Sequence, residues 1–380
     1  MSLAGPVILA VYLVVLLAKA VLARRYATRC PPVPVGDAAQ VTILQPVTSG
    51  DPRLAEFLAH TLDVFPRSPI IWIADEDDPG ALEVCASLQP VDAARPVRLL
   101  RTSPPPQAVN PKAWKLAAAE PHLGTAFVAV VDDDTRLTPA GLDALLDGLT
   151  GADLSTGLPC YLPGSNLPSN LIAQFVNNQS VLTYLPLLEF FPPVTINGMC
   201  YALRTDRLKT LGGFARIERL AADDLAMGQL VIAAGGRIHQ TITPHFIATT
   251  VQGWRHYFQL MHRWFVFALL LVREQPRSRQ ALILAVHGSP PLLLWLGLLL
   301  GAVFPSWPAL GGLVTLLAAR AWLLRGVQQG FFDRAMHEPG LSLLSELLQP
   351  VHCLHAVFSR TVRWRKRDIR VRSNRDFSYV

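Results

Sequence analysis

The sequence predicts an α/β domain of buried parallel strands, with transmembrane helices on its N-terminal and C-terminal sides. Three observations predict it. Long stretches near both ends carry no charge, short apolar runs in the middle end in carboxylates, and only 16% of residues are charged, against about 25% in ordinary soluble domains. A chain of 380 residues has room for one large domain and several membrane helices.

Residues 3 to 18 carry no charge, and the apolar run reaches Ala23 with only Lys19 interrupting it. That length spans a hydrocarbon core of ~30 Å, with Lys19 snorkelling toward the headgroups. Arg24, Arg25 and Arg29 follow the run, which places this flank in the cytosol. A cleaved signal peptide would carry its basic residues before the apolar core. Residues 1–24 are therefore read as an N-terminal anchor.

From Gln280 to Ala319 there are 40 consecutive residues without Asp, Glu, Lys or Arg. Two spans of ~20 residues fit this run, with Pro305-Ser-Trp-Pro308 as the turn between them. Arg273, Arg277 and Arg279 flank the first span, and Arg320 and Arg325 the second, so both ends of a hairpin over 280–325 face the cytosol. The segment Gly340 to Phe358 contains Glu346, Pro350 and two histidines and reads as a membrane-abutting helix, part of a 326–380 region that ends in a basic cytosolic tail.

Between the membrane segments, residues 40–256 read as a cytosolic α/β domain. Val41–Leu44, Ile70–Ile73 and Ala126–Val131 are short apolar runs of the kind that form buried parallel strands, and helix-like segments such as Leu54 to Leu62 alternate with them. Ligands of a doubly wound sheet bind at the C-terminal ends of its strands. Three acidic clusters fall there or at a helix start: Asp75-Glu-Asp-Asp78, Asp132-Asp-Asp134 and Asp223-Asp224. Carboxylates this dense need a cation or donors to coexist, and a divalent metal bridging a diphosphate is one answer; solvated loop acids or helix caps are the other.

Some function classes recede on composition alone. The five cysteines are scattered without metal-ligand spacing, which favours reduced thiols over zinc or a disulfide framework. The net charge of +6 concentrates near the membrane segments and the tail, which suits an anionic lipid surface; no nucleic-acid module accompanies it. A transporter would place ionisable groups within its spans, a processive polysaccharide synthase would need more spans to form a channel, and a silent scaffold would have no need of three acidic clusters.

The order of motifs resembles the family 2 glycosyltransferases, and within them the ceramide glucosyltransferases and related bacterial hopanoid-associated transferases. The matching pieces are Leu44-Gln-Pro-Val47, Asp75-Glu-Asp-Asp-Pro79, Asn110-Pro-Lys112, Asp132-Asp-Asp134, Gly198-Met-Cys-Tyr-Ala-Leu203, Gly212-Gly-Phe214, Ala222-Asp-Asp224, Arg263-Trp264 and the tail Trp364 to Arg372. The resemblance implies a GT-A-like nucleotide-sugar-binding domain with a mixed, mainly parallel sheet. It implies that Pro46, Asp75, Lys112, Asp132 and Asp134 bind the UDP-sugar donor, with Mg²⁺ or Mn²⁺ on Asp134 and Asp132. Asp224 is then the general base of an inverting transfer, and Arg263 and Trp264 lie close to the diphosphate and acceptor. Three residues before Arg263, where the motif has Gln or Arg, this chain has Leu260; Gln259 is one position early, and His262 is a possible substitute donor.

The stretch Trp264 to Val272 is too short to span and suits an interfacial position, so residues 257–279 are read as an interfacial helix region. That position suits a membrane-lipid acceptor, and the resemblance implies transfer of glucose from UDP-glucose to it, ceramide first. A UDP-N-acetylglucosamine-dependent hopanoid transferase or a diacylglycerol glucosyltransferase are the alternatives. Only five of the 34 basic residues are lysine; with abundant Ala and Pro, that suggests a GC-rich bacterial genome and hence a bacterial inner membrane.

Overall fold

The computed structural model describes residues 3–89, 96–364 and 367–380. The chain divides into two compact units, each assembled from three separate segments.

The first unit comprises residues 31–160, 192–250 and 363–380 and holds the sheet. Its strands are β1 (Val41–Pro46), β2 (Ile70–Asp75), β3 (Val97–Thr102), β4 (Phe127–Val131), β5 (Thr135–Arg136), β6 (Leu154–Tyr161), β7 (Cys200–Arg204) and β8 (Ile238–Ile247). They form one mixed sheet in the order β3-β2-β1-β4-β7-β6-β8-β5. The apolar runs seen in the sequence become its parallel half: β1 pairs in parallel with β2 and with β4, and β2 with β3. From β4 onward the pairing turns antiparallel, through β7 to β6. Fully buried Val41, Ile43, Trp72, Ala129 and Val131 line one face and Leu44, Ile71, Ile73, Val128 and Val130 the other, as period-2 alternation requires of strands covered on both sides.

The helices of this unit start at side-chain caps that the sequence supplies. Asp78, Asn110 and Thr138 each accept a backbone N–H from the first turn of a helix with Pro just inside its start, the preferred arrangement for both residue types. A separate three-stranded sheet, β9 (Thr361–Trp364), β10 (Arg367–Ser373) and β11 (Asp376–Tyr379), closes the C-terminal tail. Arg365 and Lys366 of the tail motif lie outside the described residues.

The second unit comprises residues 3–30, 161–191 and 251–362 and is helical. Four of its helices are long and apolar enough to cross a membrane: Ala4–Ala27, Arg277–Val303, Trp307–Phe332 and Pro339–Phe358. Residues 304–306 separate the second and third, and Trp307 and Pro308 of the expected turn open the third helix. The segment after Gly340, read from the sequence as membrane-abutting, thus also meets the length and apolarity of a crossing helix. Arg320, read from the sequence as a flank of the second span, lies within the helix Trp307–Phe332. It is 2% exposed, its guanidinium donates to Glu346 at 2.6 Å and to the Tyr12 hydroxyl at 2.7 Å, and Tyr12 donates to the same carboxylate at 2.7 Å. The sequence reading missed this because Glu346 lies 26 residues away from Arg320 and Tyr12 lies 308 away.

Candidate active site

The candidate site forms where β1, β2 and β4 end. Val131 closes β4, and alternation then sends the three following acids to different partners. Asp133 turns inward, 4% exposed, and accepts the Thr48 N–H at 2.8 Å, so it supports the loop after β1. Asp132 and Asp134 leave on the other side. Asp132 meets the Lys112 ammonium at 2.6 Å, and Asp134 accepts the Thr249 hydroxyl at 2.7 Å.

Lys112 is the hub of the cluster. Asn110 caps the helix Pro111–Ala119 and so fixes the first turn from which Lys112 projects. Its ammonium donates to the Gly198 carbonyl at 2.6 Å and lies 3.4 Å from Asp223. Burial alone would weaken this ammonium, but Asp132 and Asp223 outweigh it and hold Lys112 well above its ordinary value. Burial raises Asp132 in turn, against the pull of Lys112.

Asp223 and Asp224 open the helix Asp223–Ala233. Acids in a first turn face the positive end of the helix dipole, and Asp224 accepts the Leu225 N–H at 2.7 Å. Even so, burial, and then the neighbouring Asp223 carboxylate, push Asp224 up to about 7. Gly198 is what lets this helix approach: a Cβ there would sit 3.0 Å from the Asp224 Cβ. The Asp132 N–H donates to Met199 O at 2.9 Å, so the Gly198-Met199 segment joins Asp132, Lys112, Asp223 and Asp224 into one locus.

Asp75, at the end of β2, has a partner that sequence reasoning missed. Lys115, 2% exposed, places its ammonium 3.2 Å from Asp75 and donates to Val47 O at 2.7 Å and to the Thr48 hydroxyl at 3.0 Å. Its signal was present: Lys112 and Lys115 stand three apart on one helix face. Pro46 ends β1 beside Ile73.

Arg263 and Trp264 belong to the helical unit, on the helix Trp254–Arg273. Trp264 stacks on Phe175, ring centroids 6.1 Å apart, and meets Tyr161 edge-on at 5.9 Å. Leu260, which replaces the polar first position of the motif, is a buried packing residue, and Gln259 is half-buried. His262 is engaged elsewhere, its Nε2 donating to Thr361 O at 3.2 Å and its ring stacked on His355 at 3.9 Å.

Among the described residues, no three His, Cys, Asp or Glu side chains gather into a ready-made metal cage. Asp134 offers hard carboxylate oxygens beside the neutral hydroxyls of Thr249 and Thr135. One or two carboxylates completed by phosphate oxygens and water is the arrangement Mg²⁺ and Mn²⁺ accept. The donor set fits such an ion bound together with a diphosphate.

A mixed sheet with acids at its strand ends beside a buried carboxylate offers a place for a cation-bound diphosphate and a group able to take a proton. Among solved structures, the chain is similar to the mannosyltransferase PcManGT from Pyrobaculum calidifontis, in complex with GDP-Man and Mn²⁺. The identity is 16%, the match covers 94% of this chain and 98% of that one, and the TM-score is 0.53; this likeness shows the fold. A CMP:2-keto-3-deoxy-manno-octonic acid synthetase complexed with CTP matches 57% of this chain and 92% of its own at 13% identity, with a TM-score of 0.33. No curated protein sequence matches directly. The family model described as glycosyl transferase family 21 matches residues 6–377. The chain belongs to glycosyl transferase family 21, and it is a glycosyltransferase.

Proposed function

We propose that this glycosyltransferase inverts the anomeric centre as it moves glucose from UDP-glucose to the hydroxyl of a membrane lipid, ceramide first. The observation that carries this reading is the Asp224 carboxylate, held near neutrality at about 7 beside the Lys112–Asp132–Asp223 cluster. A base poised near the working pH can take a hydroxyl proton in the transition state and keep it. The acceptor oxygen attacks the anomeric carbon, its proton passes to Asp224, and the bond to the diphosphate oxygen breaks.

Pro46, Asp75 and Lys112 are proposed to receive the nucleotide end of the donor, with Asp132 near the ribose. Supporting this, Asp75 is tied down by Lys115 and Asp132 by Lys112, so both acids are set before a donor arrives. A divalent cation, Mg²⁺ or Mn²⁺, held by Asp134 with Asp132, supplies positive charge to the leaving diphosphate. The Mn²⁺ named with the Pyrobaculum enzyme supports a metal of this class. Arg263 and Trp264 are proposed, on their sequence motif, to serve the diphosphate and the acceptor.

A lipid acceptor is supported by the four membrane-length helices. Arg24, Arg25, Arg29, Arg277 and Arg279 favour a cytosolic catalytic unit by the positive-inside rule, in keeping with a bacterial inner membrane. Ceramide takes precedence because the motif order resembles the ceramide glucosyltransferases.

Purified protein in detergent would be given UDP-glucose, UDP-N-acetylglucosamine or GDP-mannose with ceramide, a hopanoid polyol or diacylglycerol, and the products separated by chromatography. Glucosylceramide is the expected product. Transfer to a water-soluble oligosaccharide, with none to any lipid, overturns the reading. EDTA should abolish transfer and Mn²⁺ or Mg²⁺ restore it, while Asp134→Ala should weaken donor binding; full activity after exhaustive chelation removes the metal.

A further inference from the structure

The helix that carries Asp224 does not cap itself. Its N-cap position is Ala222, whose side chain has nothing to offer an exposed N–H. The backbone that leads into it is held instead from the opposite end of the sequence. Asn374, in the turn between β10 and β11, accepts the Ala222 N–H through Oδ1 at 2.9 Å and the Ala221 N–H through its carbonyl at 2.8 Å. Asn374 is 2% exposed.

The same tail reaches the other catalytic helix. The Tyr379 hydroxyl donates to the carbonyl of Val109, the residue before Asn110. Asn110 then binds both sides: its Oδ1 caps the Lys112 helix, while its Nδ2 donates to Leu220 O and Ala221 O, each at 3.3 Å. Its backbone N–H donates to Glu218 O at 2.6 Å. The segment 218–222, which leads directly into Asp223 and Asp224, is thus gripped by Asn110 from one side and Asn374 from the other.

We propose that the C-terminal hairpin is a positioning element of the active site, with Asn374 setting the placement of Asp224 and Tyr379 that of the Lys112 helix. The proposal rests on Asp224 as the base. A hairpin that only stabilised the fold could be weakened without selective loss of turnover. One that aims the base cannot, since a displacement of about 1 Å at a reacting group costs on the order of 10²-fold in rate.

Three variants test it. Asn374→Ala deletes the acceptor, Asn374→Asp keeps it, and Tyr379→Phe removes one hydroxyl at little risk to folding. The Asn374 Nδ2 has no partner among the described residues, so Asp can accept the Ala222 N–H equally well. We expect Asn374→Ala to lower kcat by about 10–100-fold with donor KM within about twofold and the thermal midpoint nearly unchanged. Asn374→Asp should recover most of the rate at high pH. Tyr379→Phe should lower kcat in the same sense by a smaller factor, and it carries the test if Asn374→Ala does not fold. Wild-type kcat in Asn374→Ala or Tyr379→Phe overturns the proposal while leaving Asp224 as the base. An active Asp224→Asn overturns the base instead, whatever the tail variants do.

Discussion

Asp224 stands apart from the acids around it because so little holds its charge. Asp132 has Lys112, Asp75 has Lys115, and Asp133 has the Thr48 N–H, while Asp224 has Asp223 beside it and burial against it. With its folded value raised to about 7, the free enzyme should gain kcat/KM as pH rises through 7 and level off above. The stability effect has the opposite sign. A carboxyl whose folded value exceeds its unfolded one favours the native state below about pH 4, and that contribution is lost as pH rises through 7. Asp224→Asn should therefore lower turnover by ~10²–10⁴-fold yet raise the thermal midpoint at pH 8. Turnover within a few fold of wild type would remove Asp224 from its role. At this scale the sequence showed the acids well, because carboxylates cluster visibly. It did not show which of Asp132, Asp133 and Asp134 turns inward, nor that Lys115 pairs with Asp75, since both depend on where distant chain segments end.

Among the elements, the legible strands were those buried on both faces. Val41–Leu44, Ile70–Ile73 and Ala126–Val131 announce themselves as apolar runs and became β1, β2 and β4. The antiparallel half did not. β6 contains Gly157 and Pro159 yet is buried along its whole length; Gly157 is required because a Cβ there would lie 2.6 Å from the His245 Nδ1. β8 carries two histidines, a glutamine and a proline, a composition that hides a strand. Helix starts were legible in part through their motifs. Asn110 entered as part of Asn110-Pro-Lys112, and its physical role is a cap that also ties down the segment 218–222. Asn110→Ala should cost about 1–2 kcal/mol, read as a lower unfolding midpoint, together with a loss of turnover. A change in neither would show that the cap contributes nothing.

In the molecule as a whole, three of the four helices long and apolar enough to cross a membrane were legible as charge-free length, whereas the buried charges among them were not foreseen. Tyr12, Arg320 and Glu346 bring the first helix, the helix Trp307–Phe332 and the helix Pro339–Phe358 together through one carboxylate oxygen. The N-terminal helix is thus a packed member of its unit. Removing one charge leaves the other buried and uncompensated, at about 3–5 kcal/mol. Arg320→Met or Glu346→Met should sharply lower the thermal midpoint in detergent, and the double variant should recover much of the loss; equal damage in all three would show that packing rather than charge holds these helices. The partition of the chain carries a practical consequence. Each unit is braided from three stretches, so no single cut frees a soluble catalytic half. A fragment ending at residue 250 would keep the helical stretch 161–191 and lose the tail that caps Ala222. Isolating the sheet-bearing unit requires rejoining 160 to 192 and 250 to 363, a re-splicing rather than a trimming.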